Sequence, residues 1–138
     1  MTKEFLLAYE ELHPLLEYID LIINKNHHIF LLEGDLASGK TSLIQKYISS
    51  KIPSCIVTSP TFSLVHEYNG YFHYDLYHHG LQKALELGLL DYLQNQGVHF
   101  IEWGDEKLAN ILKNSRYNYH IIKISKHDNK RMYRIIDG

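Results

Sequence analysis

Three observations predict an α/β fold with a mostly parallel central sheet, antiparallel hairpin additions and helices on both faces. First, an apolar run from His28 to Glu33 leads into Gly34-Asp35-Leu36-Ala37-Ser38-Gly39-Lys40-Thr41, and Ser42 to Ser50 follows with Leu43, Ile44, Tyr47 and Ile48 at helical spacing. Second, Cys55 to Thr58 and Val98 to Ile101 are short apolar runs that read as buried strands, so strand, helix and strand succeed one another as in a right-handed parallel crossover. Third, Asn69-Gly70 separates two alternating stretches, Ser63 to Tyr68 and Tyr71 to Leu76, which is a strong hairpin signal.

Along the chain, Glu10 to Asn24 is expected as an amphipathic helix, because Leu12, Leu15, Leu16, Ile19, Ile22 and Ile23 fall on one stripe and Pro14 suits a first turn. The segment Gly34 to Thr41 is a full match to G-x-x-x-x-G-K-[ST], the phosphate-binding loop, and its position between a strand and a helix makes the predicted fold P-loop NTPase-like. Pro60 ends the strand at Cys55 to Thr58. Leu81 to Leu93 reads as a helix broken in two at Gly88, and Asp105 is a candidate N-cap for a short helix to Leu112. Tyr119 to Ile124 and Met132 to Ile136, on either side of His127 to Lys130, suggest a closing antiparallel hairpin. No linker, repeat or low-complexity stretch interrupts residues 1–138, which are expected to form a single domain.

Composition narrows the function classes. The lone Cys55 excludes an intramolecular disulfide framework and no cysteine pair offers zinc-finger spacing, so a reducing, cytoplasmic setting is expected. No apolar stretch is long enough to cross a membrane. The net charge of −2 hides an asymmetry: residues 1–106 carry six Lys/Arg against fourteen Asp/Glu, and residues 107–138 carry eight against two. The basic part lacks the interleaved aromatic residues of single-strand binders, and no DNA or membrane partner is expected. Ten histidines raise the question of a transition-metal site, but no carboxylate or cysteine completes a tetrahedral set around them.

The loop's chemistry names the first candidates. Its small residues let backbone N–H groups face a polyphosphate, with Gly34 and Gly39 giving backbone freedom; Lys40 reaches the β- and γ-phosphates and Thr41 binds Mg²⁺. Ser59 and Thr61 lie where a strand leaves the carboxyl edge of the sheet, the side on which open α/β sheets bind ligands. Asp75 closes the second arm of the hairpin as a carboxylate aimed toward the loop. Glu102 directly follows the strand Val98 to Ile101, the position at which P-loop enzymes hold Mg²⁺ or orient water. Trp103 is read as a packing residue.

Together these segments resemble the TsaE family, the small bacterial P-loop ATPases of tRNA threonylcarbamoyladenosine biosynthesis. Gly34 to Thr41 is similar to the family's G-[DE]-L-G-A-G-K-T, Val57 to Phe62 to V-x-S-P-T-[FY], His73 to Tyr77 to H-x-D-L-Y, and Ile101-Glu102-Trp103 to I-E-W, in the same order. Ala37-Ser38 replaces the family's Gly-Ala, and His78 stands where an Arg usually follows D-L-Y. The resemblance implies an ATPase that uses ATP and Mg²⁺, yields ADP, and assists the TsaD and TsaB proteins in modifying adenosine 37 of tRNA, which it would meet through that complex. The residues implied are Asp35, Leu36, Ala37, Ser38, Gly39, Lys40, Thr41 and Ser42 for nucleotide, Thr41 and Glu102 for Mg²⁺, and Lys40, Glu102 and Asp75 for catalysis. Gly34, Ser59, Thr61 and Trp103 would support the site. A nucleotide-sensing module and a small-molecule kinase are the alternatives; against the kinase, all three Arg fall after residue 115, leaving no arginine-bearing lid.

Overall fold

A computed structural model describes residues 2–23, 26–35, 37–53, 57 and 64–138. Among them, seven strands form one sheet: β1 (Thr2–Leu7), β2 (His28–Glu33), β3 (Val65–Tyr68), β4 (Tyr71–Asp75), β5 (Val98–Glu102), β6 (Tyr119–His127) and β7 (Lys130–Asp137). Their order is β1-β7-β6-β2-β5-β4-β3. The four central strands, β6, β2, β5 and β4, are parallel, and antiparallel pairing adds β3 at one edge and β7 and β1 at the other.

Alternation along the strands decides which helix lies on which face. Phe30 and Leu32 of β2, with Val98 and Phe100 of β5, join a core with α1 (His13–Ile22) and α2 (Lys40–Lys51). Ile29, Leu31 and Ile101 point the other way, toward α3 (Gly80–Glu86), α4 (Leu89–Leu93) and α5 (Glu106–Asn114). Helices therefore cover both faces. The Asn69-Gly70 turn joins β3 to β4, the Asp105 carboxylate caps α5 by accepting from the Leu108 N–H at 2.9 Å, and Gly88, at φ 97°, separates α3 from α4.

One expectation needs revision. The first helix is shorter than Glu10 to Asn24: a 3-10 turn, Tyr9–Glu11, precedes α1, which begins at His13 because Pro14 fits only a first turn. The strand β1 was not expected. It is an edge strand with exposed Lys3 and Glu4, so it lacks the alternation that marks half-buried strands. The strand expected at Cys55 to Thr58 lies outside the described residues except for Val57, which is not in a strand and whose carbonyl accepts from Gln45 Nε2 at 3.2 Å. Among the described residues, β2 pairs in parallel with β5 and β6. No helix among the described residues is long and apolar enough to cross a membrane.

Several histidines are structural. His99 Nε2 donates to the Asn95 carbonyl at 2.8 Å and its Nδ1 accepts from the Tyr74 hydroxyl at 2.7 Å, which fixes a neutral tautomer. His28 lies 2.7 Å from His120, Nε2 to Nδ1. Burial pushes the pKa of both His28 and His99 down to about 4, assisted at His28 by His120 and His27. Below pH 6.5 the unfolded chain therefore binds protons that the folded chain refuses. Stability falls as pH drops from 6.5 toward 4, by about 2 kcal/mol per histidine between pH 7 and pH 5. Urea midpoints at the two pH values measure this; an unchanged midpoint would show that these imidazoles are accessible to protons in the fold.

Candidate functional site

The site forms at the carboxyl ends of the parallel strands, where the loop from β2 enters α2. Gly39, at φ 111°, turns the chain into the helix in a conformation that glycine adopts freely. Gly34 is required for a different reason: a Cβ there would stand 2.7 Å from the Ile124 carbonyl of β6 and 2.5 Å from Ser38 Oγ. Close approach to the neighbouring strand thus adds to the backbone freedom that a φ of 159° asks for. Ala37, in the place of a family glycine, has φ 61°, a left-handed conformation that carries strain for a residue with a Cβ.

Period-two alternation brings the acids to the loop. Glu102 shares the face of Val98 and Phe100, which α2 covers, and β4 presents His73 and Asp75 on that same face, with Asp75 in register beside Glu102. Glu102 is 2% exposed. The Thr41 hydroxyl donates to its two carboxylate oxygens at 2.7 and 2.8 Å, and His73 Nε2 donates to Oε2 at 2.6 Å. His73 is fully buried, and its Nδ1 has no hydrogen-bond partner among the described residues. The Asp75 carboxylate accepts from the Tyr77 N–H at 2.9 Å, which bends the chain past the strand end.

Lys40 is 4% exposed and its ammonium donates to the carbonyls of Gly34 at 2.7 Å and Asp35 at 2.9 Å. The same ammonium lies 4.1 Å from the centre of the Trp103 ring. Burial lowers the Lys40 pKa, opposed by the carboxylates of Glu102, Asp35 and Asp75. Trp103 is more than filler: it sits at φ 64°, a strained conformation for a bulky residue, and packs in a tilted arrangement against Tyr77 with ring centres 4.9 Å apart. Across the loop, Arg131 Nε donates to the Ser38 carbonyl at 2.9 Å. Arg134, by contrast, pairs with Glu4 at 2.7 Å and is not among the residues that line the cleft.

These side chains enclose a cleft of about 510 Å³, lined by Ala37 to Ser42, Asp75, Tyr77, His78, Glu102, Trp103 and Arg131. Of the candidates read from the sequence, the structure brings Ala37, Ser38, Gly39, Lys40, Thr41, Ser42, Asp75, Glu102 and Trp103 to that cleft, with Gly34 and Asp35 holding Lys40 from the loop. Leu36, Ser59 and Thr61 lie outside the described residues. The donor set is oxygen only, a hydroxyl and two carboxylates, which suits a hard cation such as Mg²⁺ through Thr41 and Glu102. His73 and Arg131 are the residues whose part the sequence reading missed or left open. The signal for His73 was its place two residues before Asp75 on one strand face; for Arg131 it was that all three arginines come late in the chain, which left open whether Arg131, Arg134 or a partner brings charge to the loop.

The family model described as "Threonylcarbamoyl adenosine biosynthesis protein TsaE" matches residues 9–134. The chain belongs to the TsaE family. Among relatives, the tRNA threonylcarbamoyladenosine biosynthesis protein TsaE of Bacillus subtilis (strain 168) is 30% identical, the match covering 73% of this chain and 80% of that protein. The proteins of the same name from Haemophilus influenzae and Nostoc are 36% and 39% identical, over matches that span 51% and 52% of their lengths. The crystal structure of Bacillus subtilis YdiB superposes with a TM-score of 0.60 at 25% identity, covering all of this chain and 88% of that one. A P-loop NTPase-like fold and TsaE membership thus agree with the architecture and the loop.

His73 is fully buried against Glu102 in this TsaE site. His73→Leu removes a partner of a buried carboxyl group and is expected to cost about 2 to 4 kcal/mol. Urea denaturation checks it; a loss below about 0.5 kcal/mol would mean that Thr41 alone holds Glu102.

Proposed function

We propose that the chain binds and hydrolyses Mg-ATP, and that turnover supports a TsaD and TsaB complex in the N6-threonylcarbamoylation of adenosine 37 of tRNA. The observation that carries the ATPase reading is the meeting of the loop residue Thr41 with the buried Glu102 at 2.7 Å, beside Lys40 in one cleft. The pathway comes from the relatives, which are named for tRNA threonylcarbamoyladenosine biosynthesis.

In this reading the loop's N–H groups and Lys40 bind the phosphates, with Lys40 exchanging the carbonyls of Gly34 and Asp35 for phosphate oxygens. Thr41 and Glu102 would hold Mg²⁺, which when bound neutralises charge on the β- and γ-phosphate oxygens. Glu102 keeps its orientation through His73, and Asp75, next to it in register, is the second carboxylate available to order water. Arg131, anchored on the Ser38 carbonyl, is the arginine that lines the cleft among the described residues. Further charge stabilisation is assigned to the partner complex. Hydrolysis resets that complex between turnovers; it does not form the modification.

Lys40→Ala should abolish most nucleotide affinity, whereas Glu102→Gln should bind ATP and fail to hydrolyse it. Thermal shift separates the two. At a hundredfold excess of Mg-ATP over Kd the wild-type chain gains about 2.7 kcal/mol, roughly 9 °C in Tm for this length, and Lys40→Ala gains little. Normal hydrolysis by Glu102→Gln would transfer the metal role to Asp75, and binding without any hydrolysis by the wild type would favour a nucleotide sensor.

Turnover by the chain alone is expected to be slow and to rise when TsaD and TsaB are added, since an arginine supplied in trans is worth about 10³- to 10⁵-fold in phosphoryl transfer. Arg131→Ala should lower the basal phosphate release at least about tenfold, and Arg134→Ala should not. Fast release that ignores the partners would overturn the accessory role.

A further inference from the structure

One wall of the cleft is made by the turn that follows β4. That turn is tied at both ends: the Leu76 N–H donates to the Glu102 carbonyl at 3.1 Å and the Gly80 N–H to the Leu76 carbonyl at 2.8 Å. Between them the Tyr77 N–H meets the Asp75 carboxylate at 2.9 Å, and Tyr77 and His78 both line the cavity. A row of rings leads outward from the loop: the Lys40 ammonium lies 4.1 Å from the centre of the Trp103 ring, Trp103 lies 4.9 Å from Tyr77, and Tyr77 5.2 Å from His78. His78 is exposed at the outer end of this row, and among the described residues its imidazole packs on Tyr77 and makes no hydrogen bond.

Charge singles out that position. Apart from His78, the charged groups that line the cavity are two cations, Lys40 and Arg131, and two carboxylates, Asp75 and Glu102. The cations come from α2 and β7, whereas the two acids stand side by side at the ends of β4 and β5. On the wall next to those acids, His78 is the side chain among the described residues that can bring positive charge. His79 follows it ahead of α3, and on that helix Lys83 and Glu86 pair with each other at 3.9 Å. Mg-ATP carries net negative charge into a lining that is otherwise balanced, and phosphoryl transfer is catalysed almost entirely by positioning and electrostatic stabilisation.

We infer that His78 is a catalytic residue of the hydrolysis: as an imidazolium it donates to an oxygen of the terminal phosphate from the side of Asp75, and so supplies within the chain part of the charge stabilisation. The inference rests on the Mg-ATP reading above. In the step it assists, a water oxygen bonds the γ-phosphorus and the bond to the oxygen that bridges the β- and γ-phosphates breaks, its electron pair passing to ADP. One water proton stays on the inorganic phosphate, the other passes to solvent, and His78 keeps its own. Histidine is the side chain whose charge changes between about pH 5 and 8, which lysine and arginine do not share. The contribution is therefore present in acid and fades toward pH 8, a sign opposite to that of a general base, whose help grows as pH rises.

The test is phosphate release by the full chain under saturating Mg-ATP at about pH 6 and about pH 8, with His78→Arg and His78→Gln beside the wild type. The ratio of wild type to His78→Arg is the readout, because the pH dependence of the nucleotide and of the other side chains cancels in it. That ratio should fall about tenfold from the lower pH to the higher, less than the roughly 10²- to 10³-fold of a donor sealed from water. At the higher pH the wild type should match His78→Gln. ADP affinity, by calorimetric titration, should be the same in all three chains, since ADP lacks the phosphate that His78 meets. A ratio that does not change with pH, full activity of His78→Gln at the lower pH, or an equal loss of ADP and ATP affinity in His78→Gln would each overturn the role. If the wild type binds nucleotide without hydrolysing it, the hydrolysis reading fails and the contact is read in binding instead: at the lower pH His78→Gln should lose affinity for ATP and not for ADP, and an unchanged ratio of the two would overturn the contact. Failure of the wild type to bind Mg-ATP would overturn the nucleotide reading and this role with it.

Discussion

A carboxyl group that has left water must find partners, and the arrangement of this molecule follows from how Glu102 finds them. Burying a carboxylate without compensation costs several kcal/mol, and taking away one partner of a buried pair is strongly destabilising. Thr41 reaches it from the first turn of α2 and His73 from the neighbouring strand β4. Three elements distant in sequence are thereby tied at one point. The loop between β2 and α2 has both ends fixed, one by the parallel pairing of β2 with β5 and the other by this hydroxyl.

The rest of the cleft is built on that tie by simple alternation. Because side chains repeat every second residue along a strand, one face of β4 and β5 carries His73, Asp75 and Glu102 while the other carries Tyr74 and Ile101 into the opposite core. The acids therefore gather on the α2 side of the sheet, where the helix N-terminus and Lys40 offset their charge. The basic C-terminal hairpin then has a specific use, since β7 brings Arg131 to the outer side of the loop.

What was legible in the sequence was local. Eight consecutive residues spell the loop, Asn69-Gly70 spells the turn that delivers Asp75, and an acid after an apolar strand marks Glu102. What was not legible depends on pairs far apart. His73 was lost among ten histidines because its role exists only through a residue 29 positions away, and Arg131 reaches Ser38 across 93. The strand β1 escaped because only Phe5 and Leu7 of its six residues pack on the core, too few to impose a pattern, and the helix start was misplaced because Pro14 fits only a first turn. Gly34 has a second reason that the sequence did not show: the Ile124 carbonyl excludes a side chain there.

Trp103 occupies a conformation that costs energy for a residue of its size, with its ring 4.1 Å from the Lys40 ammonium and its other contact on Tyr77. It is also the chain's single tryptophan. The molecule thus carries its own optical probe, an indole seated over the Lys40 ammonium, and on the nucleotide reading proposed above its emission would report the occupancy of the loop without any added label.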